Sequence, residues 1–179
     1  MIYMFLAEGF EEVEALAPLD LMRRAGLSVT TVGIGGKTVT GAHGISVLAD
    51  LADTEYADDT PEMIFLPGGM PGTLNLAASE VVQNAIATAV RTNAYLAAIC
   101  AAPSILGDLG LLRGKEAICY PGFEDRLVGA TLSNKRVVRD GKILTAAGMG
   151  VAVEFGLAIV EELLGKDKAE ALRRGVLAD

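Results

Sequence analysis

The stretch "YLAAICAAPS", residues 95–104, joins an apolar run to a sharp turn. The first five residues are typical of a buried strand. Cys100 follows, and its small neighbours Ala101 and Ala102 would let a tight turn close. A side chain at a strand-to-helix elbow is pushed out of the sheet, often from a strained backbone. The stretch therefore predicts a strand that ends at such an elbow, with a helix beginning around Cys100 or Ala101.

Strands and helices alternate on both sides of this elbow. The other predicted strands cover residues 2–6, 28–34, 63–69 and 116–122, and two hairpins cover 37–50 and 135–148. The predicted helices cover residues 10–25, 80–92 and 150–164, and a short polar helix ends the chain. Such alternation over 179 residues predicts a single domain, residues 1–179. Its class would be α/β, a mainly parallel sheet with helices on both faces.

Composition excludes several classes of protein. The formal net charge of −8 argues against nucleic-acid binding, which relies on clustered Lys and Arg. No apolar run approaches the roughly 18 residues of a membrane span. The opening "MIYMFLAEGFEEVEA" has no basic leading segment of the kind that signal peptides carry, so we expect a cytoplasmic protein. Its two cysteines, Cys100 and Cys119, are then expected to be thiols.

Metal and nucleotide cofactors are not expected. One histidine and two separated cysteines cannot supply the usual tetrahedral metal site. Neither a G-x-G-x-x-G motif nor a P-loop follows any predicted strand.

Sites in open α/β sheets lie beyond the carboxyl ends of the strands, and three other features of the sequence are expected to converge there. These features are residues 8–14 after the first strand, the Gly68–Gly69 pair, and Cys100.

Cys100 allows two interpretations. At an elbow it would face the positive end of a helix dipole and free N–H groups, which favour the thiolate and lower the thiol pKa. A cysteine there can also be a small buried hydrophobe, the usual role of free cysteines. We expect the second role for Cys119, which ends an apolar run.

Glu14 falls on the apolar stripe of the first helix with Phe10, Ala17 and Leu21. A partly buried glutamic acid has a raised pKa, can stay protonated and can donate a hydrogen bond to a thiolate. Glu11 and Glu12 are predicted on a solvated face. Arg24 extends the same stripe, so the stripe could instead form a polar contact with another subunit.

Two more features bear on chemistry. The turn "LPGGMPG", residues 66–72, offers backbone N–H groups that could bind an oxyanion if it lies beside Cys100. Cysteine hydrolases normally place a histidine base near the nucleophile. The single histidine, His43, lies in the first hairpin, where a lone loop histidine is more often incidental.

The strings "AEGFEEVEALAPLDLMRRAG" (7–26), "LPGG" (66–69), "AAICAAP" (97–103) and "ILTAAGMGVAVEFGLAIVEEL" (143–163) resemble the ThiJ/PfpI superfamily, in the branch of the parkinsonism-linked deglycase protein. The resemblance covers nearly the whole chain. It implies a flavodoxin-like three-layer sandwich and a homodimer.

The resemblance also implies roles for particular residues. Cys100 would be the nucleophile, Glu14 the protonated acid, and the N–H groups of Gly69 and Ala101 the oxyanion donors, with Gly68 lining the site. Tyr120 stands where many members carry a histidine. His43 lies near the position of a subunit-contact arginine, so His43 and Arg24 become candidates for an interface.

Three functions follow as expectations. The first is a stress-protective enzyme of the glyoxalase or deglycase kind, in which a Cys100 thiolate assisted by Glu14 acts on reactive dicarbonyls or their early adducts. The second is a non-enzymatic redox sensor or chaperone-like protein whose partner is an oxidant of Cys100. An amidotransferase-like or peptidase activity is disfavoured by the missing histidine.

Overall fold

The computed structural model describes residues 1–57 and 60–178. Its strands are β1 (Ile2–Leu6), β2 (Val29–Gly33), β3 (Thr38–Thr40), β4 (Ser46–Leu48), β5 (Leu51–Ala52), β6 (Met63–Leu66), β7 (Tyr95–Ile99), β8 (Glu116–Ala117), β9 (Thr131–Leu132), β10 (Val137–Asp140) and β11 (Ile143–Ala146). Its helices are α1 (Glu12–Arg24), α2 (Gly72–Ala78), α3 (Glu80–Arg91), α4 (Pro103–Asp108), α5 (Ala152–Leu164) and α6 (Lys166–Gly175). In the described ranges, none of these helices is long and apolar enough to cross a membrane.

Seven strands form the central sheet, in the order β10-β11-β7-β6-β1-β2-β5. Each neighbouring pair runs parallel except β10 and β11, which form an antiparallel hairpin at one edge. The small antiparallel hairpin of β3 and β4 lies outside this sheet. The predicted α/β class, the flavodoxin-like sandwich and both hairpins are confirmed.

Helices cover both faces of the sheet because its inner strands are apolar on both sides. All four residues of β6 are buried, and alternate residues enter different cores. Met63 and Phe65 join the core under α1 and α5, while Ile64 and Leu66 join the core under α3 and α4. This arrangement explains why β6 reads as a continuous apolar run in the sequence.

The helices α1 and α5 pack closely beside the first core. A Cβ added at Gly156 would lie 2.8 Å from Leu21 Cδ1 and 2.9 Å from Pro18 Cα. Glycine at position 156 therefore sets how near the two helices can lie. This contact holds α1, which carries Glu14, against the sheet.

Several predicted elements differ from the structure. The expected strand over 116–122 is wrong: only Glu116–Ala117 is extended, and it pairs with β9 in a separate two-stranded sheet. The expected helix start at Cys100 or Ala101 is also wrong, since α4 begins at Pro103. The short helix α2 was not expected, because its sequence "GTLNLAA" has neither a capping residue nor a helical apolar period.

Candidate active site

Cys100 occupies a strained elbow at the carboxyl end of β7. Its φ is +65°, a left-handed conformation that non-glycine residues rarely adopt. Two hydrogen bonds hold it there: its N–H donates to the carbonyl of Ala146 at 2.9 Å, and its carbonyl accepts from the N–H of Tyr120 at 2.7 Å. The thiol is partly exposed. The backbone around the elbow is therefore fixed by β11 on one side and by residue 120 on the other.

The peptide N–H groups of Ala101 and Gly69 both neighbour the sulfur of Cys100 and act to lower the pKa of its thiol. Gly69 reaches this position with φ +94°, and a Cβ there would lie 2.3 Å from the nitrogen of Glu11. No other residue fits that backbone without displacing it. The structure thus brings together the two donors that the sequence assigned to an oxyanion.

Glu14 lies beside the same sulfur and is 1% exposed. Its Oε2 accepts a hydrogen bond from the N–H of Gly68 at 3.1 Å. Cys100 and the backbone of Met149 also neighbour this carboxyl. Glu14 sits in the first turn of α1, where Glu11 caps the helix by accepting from the N–H of Glu14 at 2.7 Å. The predicted core-facing position of Glu14 agrees with this geometry.

Gly68 leaves the space in which the acid and the thiol meet. A Cβ at this residue would lie 2.3 Å from Glu14 Oε2 and 2.6 Å from Cys100 Cβ. Any larger residue would force the two side chains apart. Gly68 therefore lies between the acid and the thiol, and its N–H donates a hydrogen bond to the acid.

Titration of the pair follows the sequence-based expectation for Glu14 and differs from it for Cys100. Burial raises the pKa of the Glu14 carboxyl to about 7. Burial, followed by the charge and hydrogen bonding of Glu14, raises the pKa of the Cys100 thiol to about 12. The N–H groups of Ala101 and Gly69 lower that pKa, but they do not offset these effects.

Burial and the neighbouring Glu14 thus raise the pKa of the Cys100 thiol, the direction opposite to the lowering expected at an elbow. Above about pH 7 the pair holds a thiol beside a carboxylate. Such an arrangement suits Glu14 as the group that accepts the thiol proton during reaction. The helix dipole that was expected to lower the Cys100 thiol pKa is weak here, because α4 has six residues and starts three positions after Cys100.

Tyr120 lies at the opening of this site with half of its surface exposed. Its ring packs against Gly148, where an added Cβ would be 3.2 Å from Tyr120 Cδ2 and 3.8 Å from Glu14 Oε1. The Tyr120 ring and the Glu14 carboxyl therefore both lie beside Gly148. The side chain at residue 120 is a phenol, so this position does not supply a histidine base beside the thiol.

His43 belongs to a different cluster, between the β3–β4 hairpin and the start of α1. Its N–H and Nδ1 lie 2.7 and 2.9 Å from the two carboxylate oxygens of Glu12. The prediction that Glu12 lies on a solvated face is wrong: Glu12 is 4% exposed, because the hairpin folds over it and supplies its hydrogen bonds. Possible ligand atoms of Glu11, Glu12 and His43 lie within 4.8 Å of one another.

Arg24 and Cys119 lie apart from the reactive pair. Arg24 is on the surface of α1, where its Nε contacts Asp20 at 2.5 Å. Cys119 is 3% exposed within the core under α3 and α4, and burial raises its pKa to about 11. Only one of the two thiols is thus placed where a ligand could reach it.

Gly148 and Met149 were not expected in the site. Both follow β11, whose carboxyl end lies beside that of β7. The sequence pattern predicts residue 148 only as the end of the hairpin over 135–148. The glycine pair in "AAGMG" (146–150) marks another turn at the edge of the sheet that carries Cys100, and that signal could have located them.

The fold and the site together define a flavodoxin-like protein with a cysteine at a strand-to-helix elbow. Residues 1–162 match the model of the DJ-1/PfpI family, and the chain belongs to that family. It is 37% identical to the protein dj-1beta of Drosophila melanogaster, over 96% of this chain and 94% of that protein.

Two further relatives agree with this assignment. The Caenorhabditis elegans protein named glutathione-independent glyoxalase DJR-1.2 is 32% identical, over 92% of this chain and 89% of its own. The solved structure of oxidized Toxoplasma gondii DJ-1 superposes with a TM-score of 0.94 at 32% identity, covering 98% of this chain and 97% of that chain.

Proposed function

We propose that this protein is a cysteine-dependent, stress-protective enzyme that acts on reactive dicarbonyls, as a glyoxalase or as a deglycase of their early adducts. The observation that carries the proposal is the meeting of four groups at one sulfur. Cys100 supplies the thiol, Glu14 a proton acceptor, and Gly69 and Ala101 two N–H donors. A relative named as a glutathione-independent glyoxalase supports the same activity.

The first step is addition of the thiol to the aldehyde carbon of a 2-oxoaldehyde. The sulfur forms a bond to that carbon while the Glu14 carboxylate takes the thiol proton. The electron pair of the C=O π bond moves to oxygen, where the N–H groups of Gly69 and Ala101 stabilise it. Protonation of that oxygen by Glu14 gives a hemithioacetal and restores the carboxylate.

The second step converts the hemithioacetal to product. Glu14 removes the proton from the carbon that carries sulfur and returns it to the neighbouring carbon. The hydroxyl proton of the hemithioacetal passes to the oxygen of that neighbouring carbon, so the first oxygen becomes the carbonyl of a 2-hydroxy acid thioester. Water then cleaves the thioester, so that sulfur regains its proton. The net reaction adds one water to the dicarbonyl and needs neither an oxidant nor a reductant.

Turnover of methylglyoxal by the purified protein tests this proposal. We expect formation of lactate in the wild type and loss of that activity in Cys100→Ser and in Glu14→Gln. Cys119→Ala is the matched control, because it removes a thiol outside the site and should retain activity. Wild-type protein without turnover, or equal activity in Cys100→Ser, contradicts the proposal.

A second candidate function is redox sensing through the same sulfur. The two N–H donors and Glu14 could equally bind the oxygens of a sulfinate, which needs no histidine base. Peroxide treatment followed by intact mass measurement distinguishes the two functions. Addition of two oxygens at Cys100, in a protein that does not turn over methylglyoxal, favours the sensor.

We further propose a homodimer that covers one side of α1. Exposed apolar side chains lie on α1 at Val13 and at the start of α5 at Val153, 43% and 41% exposed. Val153, Arg24 and the C-terminal residues line a groove of about 510 Å³. Sedimentation equilibrium tests the assembly: Val153→Asp is expected to shift a dimer toward monomer, and a monomeric wild type contradicts the proposal.

A further inference from the structure

The reactive pair is surrounded by exposed apolar side chains whose backbones face it. Tyr120, Met149 and Met70 are 51%, 53% and 45% exposed. The N–H of Tyr120 donates to the carbonyl of Cys100, the backbone of Met149 neighbours the Glu14 carboxyl, and Met70 directly follows Gly69. We name these three side chains the apolar rim.

The apolar rim borders the reactive pair at the elbow. Glu14 is buried and Cys100 is only partly exposed, so a ligand reaches the thiol past the side chains around it. Tyr120 offers the flattest of these surfaces. Its ring packs against Gly148 and its backbone is tied to the elbow, so the ring has a defined place beside Glu14.

We propose that Tyr120 is a specificity-determining residue that favours substrates with a planar aromatic or conjugated group on the carbonyl. This inference rests on the proposed function and names its substrate class. Offset or edge-to-face contact with the ring adds to the apolar area that the ligand buries. Thioether groups at Met149 and Met70 extend the same preference, since sulfur contacts favourably with aromatic edges.

Alkylation of Cys100 measures this preference without requiring turnover. Phenacyl bromide carries the aromatic ketone, and iodoacetamide is the small reference reagent. The ratio of their second-order rate constants at Cys100, each divided by that for N-acetylcysteine, gives the aromatic preference. We expect Tyr120→Ala to lower this ratio by about three- to tenfold.

Three variants make the result specific. Tyr120→Phe keeps the ring and should keep the ratio, while Tyr120→Leu keeps apolar bulk without a flat ring and should lower it. Leu132→Ala removes an exposed apolar side chain of β9 that lies outside the apolar rim and should change nothing. An unchanged ratio in both Tyr120→Ala and Tyr120→Leu, or an equal loss in Tyr120→Phe, overturns the inference.

Turnover separates this inference from the proposed function. With phenylglyoxal and methylglyoxal as substrates, kcat/KM should shift toward methylglyoxal in Tyr120→Ala. Wild-type protein that turns over neither compound contradicts the proposed function alone. The alkylation ratio would still decide whether Tyr120 selects aromatic electrophiles at Cys100.

Discussion

The carboxylate oxygen Oε2 of Glu14 accepts a 3.1 Å hydrogen bond from the peptide N–H of Gly68. The same glycine lies against the Cβ of Cys100, so one residue without a side chain holds the acid and lets it touch the thiol. Since the two groups share one small volume, neither titrates independently of the other. Proton transfer between them is therefore the property to measure first.

The rate of Cys100 alkylation by iodoacetamide is expected to rise through about pH 7. Glu14 has a raised pKa of about 7 and becomes a proton acceptor only above it. Glu14→Gln removes this step and should lower the rate at pH 8 by about 100-fold. Its residual rate should rise only toward the pKa of the thiol itself. A wild-type rate that falls above pH 7 would show instead that protonated Glu14 activates the sulfur.

Glu14 is also expected to make the folded protein less stable as pH rises. Its folded pKa of about 7 exceeds the ordinary 4.5, so the folded state holds a proton that the unfolded state loses between these values. Stability is therefore lost from pH 4.5 upward, by about 3 kcal/mol in the limit.

Urea denaturation at pH 5 and pH 8 tests this dependence. The free energy of unfolding of Glu14→Gln, relative to wild type, should increase from pH 5 to pH 8. Glu161→Gln changes an exposed carboxyl of α5 and serves as the control. A constant difference between wild type and Glu14→Gln at both pH values counts against the raised pKa.

Gly68→Ala is expected to separate the reactive pair. The added Cβ would stand 2.3 Å from Glu14 Oε2, so the carboxyl or the turn must move. We expect a loss of about 1–3 kcal/mol of stability and alkylation rates like those of Glu14→Gln. Gly175→Ala, where nothing lies within 4 Å of the added Cβ, is the matched substitution. Wild-type alkylation kinetics in Gly68→Ala would contradict the geometry.

His43 is expected to titrate above its ordinary range. Hydrogen bonding to the Glu12 carboxylate raises the pKa of His43. A histidine of this kind adds stability that is present below its unfolded pKa and is lost as pH rises through its folded pKa. Because His43 is the single histidine of the chain, its imidazole signal in an NMR titration is assigned without ambiguity. In Glu12→Gln the midpoint should fall, and an unchanged midpoint would rule out the pairing.

Most of the sheet could be predicted from sequence because its inner strands β1, β6 and β7 are apolar and are separated by clear turn residues. The predicted stripe of the first helix likewise placed Glu14 toward the core, and both Glu14 and Leu21 of α1 are buried. Residues 116–122 were misassigned for a related reason. Ala117 and Cys119 are buried in the core under α3 and α4 although the strand ends at Ala117, and local pattern does not distinguish such a buried irregular segment from a strand.

Long-range contacts account for the features that the sequence did not predict. The burial of Glu12 depends on a hairpin some 30 residues away in the chain, and no local period encodes it. The expected lowering of the Cys100 thiol pKa was wrong for the same reason. Residue types suggested a helix dipole, whereas the structure adds burial and a neighbouring carboxyl, which dominate.

The 2.7 Å hydrogen bond between residues 120 and 100 joins main chain to main chain, so it does not depend on which side chain residue 120 carries. The side chain of residue 120 can therefore change, for example from a phenol to an imidazole, without loss of the hydrogen bond that holds the nucleophile. The side chain beside the reactive pair can thus vary while the backbone keeps Cys100 in place.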